Sequence, residues 1–146
     1  MNKVSISKIV VMLIVFVTCT KLSIAQSTFF SLSEPTFYVI QDTSENDLKN
    51  LVNLSLKVSD ISIATDIQID LAETANSFTL QNIQGTIVSE NESLFILING
   101  SKQPVSGKYI NISFALPTDI IQKWKYTRIY FDLQTGEKSR YLYHRW

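Results

Sequence analysis

Apolar and polar residues alternate along most of the sequence, and this alternation most constrains what the chain can fold into. The clearest examples are the segments 52–58, 65–71, 110–116 and 127–133. Successive side chains of a β-strand point to opposite faces, so each alternating segment predicts a strand with one buried and one exposed face. Strands of this kind, spaced about 10–15 residues apart, predict an antiparallel sandwich.

Glycine and apolar runs add detail to this fold prediction. Asn99-Gly100 and Thr135-Gly136 predict turns, because glycine adopts positive φ without steric cost, and Gly85 is also predicted to lie in a turn. The apolar segment 94–98 is typical of a strand buried on both faces. A small closed barrel is the alternative fold, but barrels usually need glycine at strand bends, whereas all the glycines here are predicted to lie in turns.

Residues 118–124 are predicted to be helical over one or two turns, and the polar segment 42–49 is predicted to be a loop or a short helical turn. Pro117 and Thr118 can begin the helix, Thr118 can cap it, and Asp119 suits its first turn. Trp124 ends this segment and is predicted to close an edge of the sandwich. Trp146 either packs against the sheet or belongs to a contact surface.

Two segments carry a resemblance to a known type of protein: the strand 65–71 (TDIQIDL) and the segment 130–136 (YFDLQTG). With them the sequence resembles the small secreted immunoglobulin- or fibronectin-type-III-like domains of Bacteroidota over most of residues 26–146. The resemblance implies an exported domain with an immunoglobulin-like fold. The predicted fold is therefore all-β, an antiparallel immunoglobulin-like sandwich of seven or eight strands with one short helical turn.

Residues 1–25 are predicted to be a secretory signal peptide. A positive start at Lys3 and Lys8, an apolar run over 9–17 and small residues at Ser23 and Ala25 predict cleavage before Gln26. A retained transmembrane anchor is the alternative, although such a helix needs about 20 apolar residues. Lipidation of Cys19 is a second alternative for this segment. We expect export to the periplasm, the outer-membrane surface or the medium, and a mature chain without cysteine that no disulfide stabilises.

Charge is distributed unevenly along the chain. The whole sequence has 13 basic and 13 acidic residues, which argues against a nucleic-acid partner. Residues 26–92 contain ten acidic and two basic residues, whereas residues 93–146 contain eight basic and three acidic ones. Either this asymmetry provides a charged surface for a partner, or the two halves neutralise each other within the sandwich.

The closing hairpin carries the candidate binding residues. If Thr135-Gly136 is a two-residue turn, Lys138 and Arg140 belong to the face that also carries Ile129. The other face then combines three cross-strand pairs: Tyr126 with Arg145, Arg128 with Tyr143, and Tyr130 with Tyr141. Tyrosine and arginine are enriched in protein interfaces, and exposed rings also stack on sugars. The same pairs can instead serve only to stabilise the strand pairing.

Catalytic motifs are absent from the sequence. His144 is the only histidine, so metal sites built on several histidines or cysteines are excluded, and no G-x-S-x-G motif is present. Asp66 and Asp70 share one strand face about 13 Å apart. Paired glycosidase carboxylates lie about 5–9.5 Å apart, so these two do not form such a pair. A hydrolase whose acidic residues come from different strands is left open.

The sequence therefore predicts a non-enzymatic protein-interaction module without a cofactor or metal. We expect an exported accessory subunit of a cell-envelope assembly, with an envelope or cell-surface protein as its partner. The alternative is a secreted carbohydrate-binding module that uses the same tyrosines to bind a glycan. Neither function requires a nucleic acid or a membrane span in the mature chain.

Overall fold

The structure, a computed structural model, describes residues 30–33, 35–41 and 49–146. The predicted signal peptide 1–25, the cleavage site before Gln26 and Cys19 lie outside these residues, as does most of the polar segment 42–49. Every strand and helix named below belongs to the compact unit formed by residues 31–146.

The described part of residues 31–146 contains nine strands, one α-helix and a 3-10 turn at Ile61–Ile63. The strands and the helix are, in chain order, β1 (Thr36–Gln41), β2 (Lys49–Lys57), β3 (Ala64–Ala72), β4 (Gln81–Glu90), β5 (Ser93–Ile98), β6 (Ser101–Pro104), β7 (Tyr109–Pro117), α1 (Thr118–Lys123), β8 (Tyr126–Leu133) and β9 (Leu142–Arg145).

The strands form two sheets. The smaller sheet has the order β1-β2-β7 and the larger sheet has the order β6-β5-β4-β3-β8-β9, with all neighbours antiparallel. The predicted all-β sandwich is confirmed, whereas its immunoglobulin-like character stays a prediction. Two of the nine strands, β1 and β6, lie in segments for which the sequence predicts no strand; β1 pairs with β2 and β6 with β5.

The core lies between the inner faces of the two sheets. Each alternating segment of the sequence buries its apolar residues there, and burial of apolar surface contributes about 25 cal/mol per Å². Four strands, β2, β3, β7 and β8, contribute most of these side chains. In that order, their buried residues are Val52, Leu54 and Leu56; Ile67, Ile69 and Leu71; Ile110, Ile112, Phe114 and Leu116; and Ile129, Phe131 and Leu133.

Gly85 lies inside β4, so the turn predicted there is wrong. It pairs with Ile67 of β3 and faces the core. A Cβ atom at this position would lie 2.7 Å from Cγ2 of Ile96 and 2.8 Å from Cγ2 of Ile67 and Cγ1 of Ile98. The glycine is there because three isoleucine side chains occupy the space of a side chain, and not because the backbone turns.

The outer face of β5 is open, which contradicts the prediction that segment 94–98 is buried on both faces. Ile96 and Ile98 are buried, but Leu97 between them is 39% exposed. Antiparallel sheets commonly leave one face in water, so the apolar run reflects one buried face and a partly apolar outer one.

The other local predictions have mixed outcomes. Asn99 and Gly100 form the predicted turn, with φ values of 50° and 78°, and connect β5 to β6. The helix α1 forms as predicted, with Asp119 in its first turn, but Thr118 does not cap it. The N-cap residue is Pro117, and the Thr118 hydroxyl accepts a hydrogen bond from Nδ2 of Asn50 at 3.3 Å.

Candidate functional site

The pairing of β8 with β9 places the candidate binding residues on one face of the larger sheet. Tyr126 lies opposite Arg145 and Arg128 opposite Tyr143, as the sequence predicts. Tyr141 precedes the first residue of β9, and its ring lies 5.0 Å from that of Tyr130. The three predicted pairs are therefore present, two of them as partners in the strand pairing and the third, Tyr130 with Tyr141, as a contact between rings.

The turn that produces this pairing differs from the predicted one. Gly136, at φ 84°, donates its N–H to Leu133, and Leu133 donates its N–H to the carbonyl of Glu137, which defines a three-residue loop. Asp132 then pairs with Lys138. Ile129 pairs with Leu142, so the three residues 139–141 lie opposite the two residues 130–131 and form a β-bulge. From Ile129 and Leu142 onward, the strand pairing is the predicted one.

The three-residue loop and the bulge change the predicted positions of two basic residues. Lys138 lies over the ring of Tyr130, with Nζ 4.9 Å from the ring centre, and so belongs to the outer face rather than the inner one. Arg140 is exposed, and Ser139 is buried in its place beside Phe131. Ser139 donates its N–H to the carbonyl of Phe131 and accepts the N–H of Phe131 on its hydroxyl.

We call this surface the hairpin face. It contains the six predicted residues and Lys138, and its members are Tyr126, Arg128, Tyr130, Lys138, Tyr141, Tyr143 and Arg145. The rings of Tyr141 and Tyr143 are 6.2 Å apart, and the Arg145 guanidinium lies 5.6 Å from the ring of Tyr126. Tyr141 is 45% exposed and Tyr143 is 59% exposed, so both rings are available at the surface.

Arg128 occupies the centre of the hairpin face. Its guanidinium carbon lies 4.7 Å from the ring centre of Phe78 and 5.1 Å from that of Tyr141. Two of its nitrogens donate to Oδ2 of Asp70, at 3.1 and 2.7 Å. The hydrogen bond with Asp70 raises the pKa of Arg128 above its ordinary value, against the opposing effect of partial burial.

Asp70 connects the hairpin face to the polar outer faces of β3 and β4. Its second oxygen accepts a hydrogen bond from Nδ2 of Asn82 at 2.7 Å. Gln68 accepts from the same Asn82 amide and donates to Asp132 of β8 at 3.0 Å. The strands β4, β3 and β8 are thus joined by side-chain hydrogen bonds on the face opposite the core.

Phe78 and Asp70 contact the candidate residues but were not among the predicted site residues. Phe78 lies in the connection between β3 and β4, and its ring is 5.8 Å from that of Tyr143. The sequence does contain a signal for Asp70, which is an acidic residue on the polar face of a predicted strand, but it does not show that this strand lies beside the strand of Arg128. A small pocket of about 220 Å³ adjoins this contact, lined in part by Phe78, Tyr126, Tyr143 and Arg145.

Trp124 closes one edge of the sandwich, as predicted. Its indole is buried, packs edge-on against Phe37 of β1, and donates Nε1–H to the Thr127 hydroxyl at 2.8 Å. Trp146 packs against Trp124 at 4.8 Å and is still 50% exposed. The first predicted alternative, packing against the sandwich, is therefore present, and a role in a contact surface stays a prediction. His144 contacts the rings of Phe37 and Trp146.

Two features are absent from residues 30–33, 35–41 and 49–146: a cluster of metal-binding side chains and a membrane-spanning helix. No group of three or more His, Cys, Asp or Glu side chains there is arranged to hold a metal ion. None of the helices in this part of the chain has the length and apolar character to cross a membrane.

Comparison of the chain with family models, curated proteins and solved structures finds no match. The resemblance to secreted immunoglobulin- or fibronectin-type-III-like domains of Bacteroidota therefore stays a prediction from the sequence.

Proposed function

We propose that the protein is an exported, non-enzymatic protein-interaction module, an accessory subunit of a cell-envelope assembly, and that it binds its partner through the hairpin face. The observation that carries this proposal is the exposure of Tyr141 and Tyr143 around the partly buried Arg128. Tyrosine and arginine dominate the energetics of many protein interfaces, where they lie near the centre of the contact.

The contacts within the hairpin face support a binding role because they hold the rings in place before a partner arrives. Tyr141 contacts Tyr130 on one side and Tyr143 on the other, and Arg128 lies over its ring. Arg128 is itself held by Asp70. Side chains that are already ordered lose less conformational entropy on association, so more of the contact energy is available for affinity.

The same geometry favours a protein over a glycan as the partner. The rings of Tyr130 and Tyr141 are inclined at 80°, and those of Tyr141 and Tyr143 at 68°. They do not form a flat platform on which a sugar ring could stack. Cations also occupy part of the ring faces, since Lys138 and Arg128 both lie over Tyr130.

Co-purification from the source cell envelope, in mild detergent, tests the proposal. The tagged protein is compared with Y141S/Y143S, and with Y38S/Y109S as a matched control. Tyr38 and Tyr109 are 63% and 55% exposed on the smaller sheet, so the control removes two similarly exposed rings from a different surface. We expect the wild type and the control to retain a stoichiometric protein partner that Y141S/Y143S loses.

Two results would contradict the proposal. Equal recovery of the partner by Y141S/Y143S would show that the hairpin face is not the interface. Recovery of the wild-type protein alone, together with its elution from envelope polysaccharide by free sugar, would support the carbohydrate-binding alternative.

A further inference from the structure

Within the described part of the chain the two sheets have four edge strands, and three of these are protected against pairing with another strand. The protected edges are β6, β7 and β9, and the fourth is β1. An edge strand has unpaired backbone N–H and C=O groups, which proteins protect by short length, charge, proline or a covering group. The strands β6 and β9 have only four residues each and contain Lys102 and Arg145. The strand β7 ends in Pro117, and the side chain of Gln103 bonds to both backbone groups of Ser113.

The edge strand β1 has none of these protections. Its six residues, Thr36–Gln41, include no charged residue, proline or glycine. Tyr38 and Ile40 are 63% and 54% exposed on its outer face. Val39 lies opposite the buried Val52 on the inner face and is nevertheless 37% exposed. A strand added to this edge would therefore bury apolar surface on both faces of the smaller sheet.

The pairing register shows which backbone groups of β1 point away from the sheet. The N–H of Val58 donates to the carbonyl of Lys108 at 2.8 Å, in the same register as the pairing of β2 with β7. Backbone groups along a strand point alternately to its two neighbours, so the even-numbered residues of β2 bond to β7 and the odd-numbered ones to β1. Their partners in β1 are even-numbered, which leaves the groups of Phe37, Val39 and Gln41 pointing outward. Among the described residues, none bonds to these outward groups.

We propose that the protein forms a dimer in which β1 pairs antiparallel with β1 of a second copy, around a two-fold axis at Val39. The two Val39 residues then lie opposite each other, and Phe37 of each copy lies opposite Gln41 of the other. Each of these three pairs can exchange two backbone hydrogen bonds, about six in all. On the outer face, Tyr38 lies opposite Ile40 of the second copy, and such aromatic and β-branched pairs stabilise antiparallel strands.

A second copy is the occupant because β1 is complementary to itself. Two identical strands without charge place no like charges opposite each other along the pairing. The two-fold axis keeps inner-facing residues opposite inner-facing residues, so the two three-stranded sheets continue as one sheet. The adjacent register, with Tyr38 on the axis, places Gln41 opposite Pro35, which has no N–H to donate. The register at Val39 therefore forms more hydrogen bonds.

Sedimentation equilibrium of the purified protein measures the dimer, and amide hydrogen exchange locates it. We expect reversible dimerisation, with exchange of the Val39 amide at least roughly tenfold slower at concentrations where the dimer dominates. The amide of Ala115 is the internal reference, because it points outward from β7 at the other edge of the smaller sheet. It should exchange at the same rate in both states. The inference does not rest on the proposed function, because β1 belongs to the smaller sheet and the hairpin face to the larger one.

Proline substitutions test the edge itself. V39P removes an outward-pointing N–H and leaves the bonds of β1 with β2 in place, since proline is tolerated where the N–H of an edge strand faces solvent. A115P makes the same change at the other edge of the smaller sheet, where Ala115 is exposed. We expect V39P to weaken dimerisation at least roughly tenfold and A115P to change it by less than about twofold. Y38S/Y109S should lose less affinity than V39P, because serine at position 38 leaves every backbone hydrogen bond in place.

Charge variants test the register. V39K places two lysines opposite each other in the dimer, and V39E places two glutamates there, whereas a mixture of the two variants pairs lysine with glutamate. We expect the mixture to associate at least roughly tenfold more tightly than either variant alone. This comparison does not depend on the folding of V39P.

Three results would overturn the inference. The first is a wild-type protein that stays monomeric at roughly 0.5 mM. The second is a dimer that V39P forms as tightly as the wild type, or that leaves the exchange of the Val39 amide unchanged. The third is a mixture of V39K and V39E that associates no more tightly than the two variants do separately.

Discussion

Asp70 of β3 accepts two hydrogen bonds from the guanidinium group of Arg128 of β8, while Asn82 of β4 donates to its other oxygen. The Asp70 side chain is 8% exposed and that of Arg128 is 28% exposed, so the carboxylate is buried and the guanidinium is partly buried. This relationship joins three strands and fixes the cation at the centre of the hairpin face.

Removal of Asp70 should therefore destabilise the fold and disturb the hairpin face. We expect D70A to lower the free energy of unfolding by about 2 kcal/mol, less than a fully buried pair would cost, because Arg128 keeps some contact with water. Urea unfolding measures the loss. D66A is the matched control, since Asp66 is bonded by the neutral side chains of Gln84 and Thr86. Equal losses for D70A and D66A would contradict a special role of the ion pair.

Substitution of Gly85 should act through crowding in the core. We expect G85A to lower the free energy of unfolding by about 1–3 kcal/mol, because its Cβ overlaps three isoleucine side chains. The double variant G85A/I96A should be more stable than the sum of the two single changes predicts, since I96A removes one of the overlapping atoms. Additive losses in thermal or urea unfolding would refute this explanation.

The hydrogen bond from Trp124 to Thr127 should be visible in hydrogen exchange. Thr127 is fully buried and Trp124 almost so, whereas Trp146 is half-exposed. We expect the indole N–H of Trp124 to exchange at least roughly tenfold more slowly than that of Trp146 in the same protein. T127V should remove most of this difference. Similar exchange rates for the two indoles in the wild type would contradict the buried hydrogen bond.

The side chain of Gln103 takes the place of a neighbouring strand beside β7. Its amide nitrogen donates to the carbonyl of Ser113 at 2.7 Å, and its oxygen accepts the Ser113 N–H at 2.6 Å. We expect Q103A to cost about 1–2 kcal/mol and to increase the exchange rate of the Ser113 amide. Q84A, which removes only a hydrogen bond between exposed side chains, should change the free energy of unfolding by less than about 0.5 kcal/mol.

The exposed tyrosines should contribute more to binding than to folding. We expect Y141A/Y143A to lower the free energy of unfolding by about 1 kcal/mol, since cross-strand aromatic pairs contribute about 0.2–1 kcal/mol each. F131A, in the core, should cost about 3–5 kcal/mol. A loss from Y141A/Y143A as large as that from F131A would indicate that these rings serve the fold.

The sequence by itself determined four of the strands and their buried faces. The alternation over 52–58, 65–71, 110–116 and 127–133 corresponds to β2, β3, β7 and β8, and the buried residues are the apolar ones. It also predicted the pairing of Arg128 with Tyr143. These properties follow from the repeat of two residues along a single strand or hairpin, which the order of the amino acids determines directly.

The tertiary structure alone decided how separate strands meet. It placed Gly85 under three isoleucines, brought Asp70 to Arg128, and put Lys138 on the outer face, between the three-residue loop and the bulge. Alternation predicts which face of its strand a side chain lies on, but it does not predict which other strand lies beside that strand. Neighbouring strands are selected by packing between residues far apart in the sequence, and that selection formed the centre of the hairpin face.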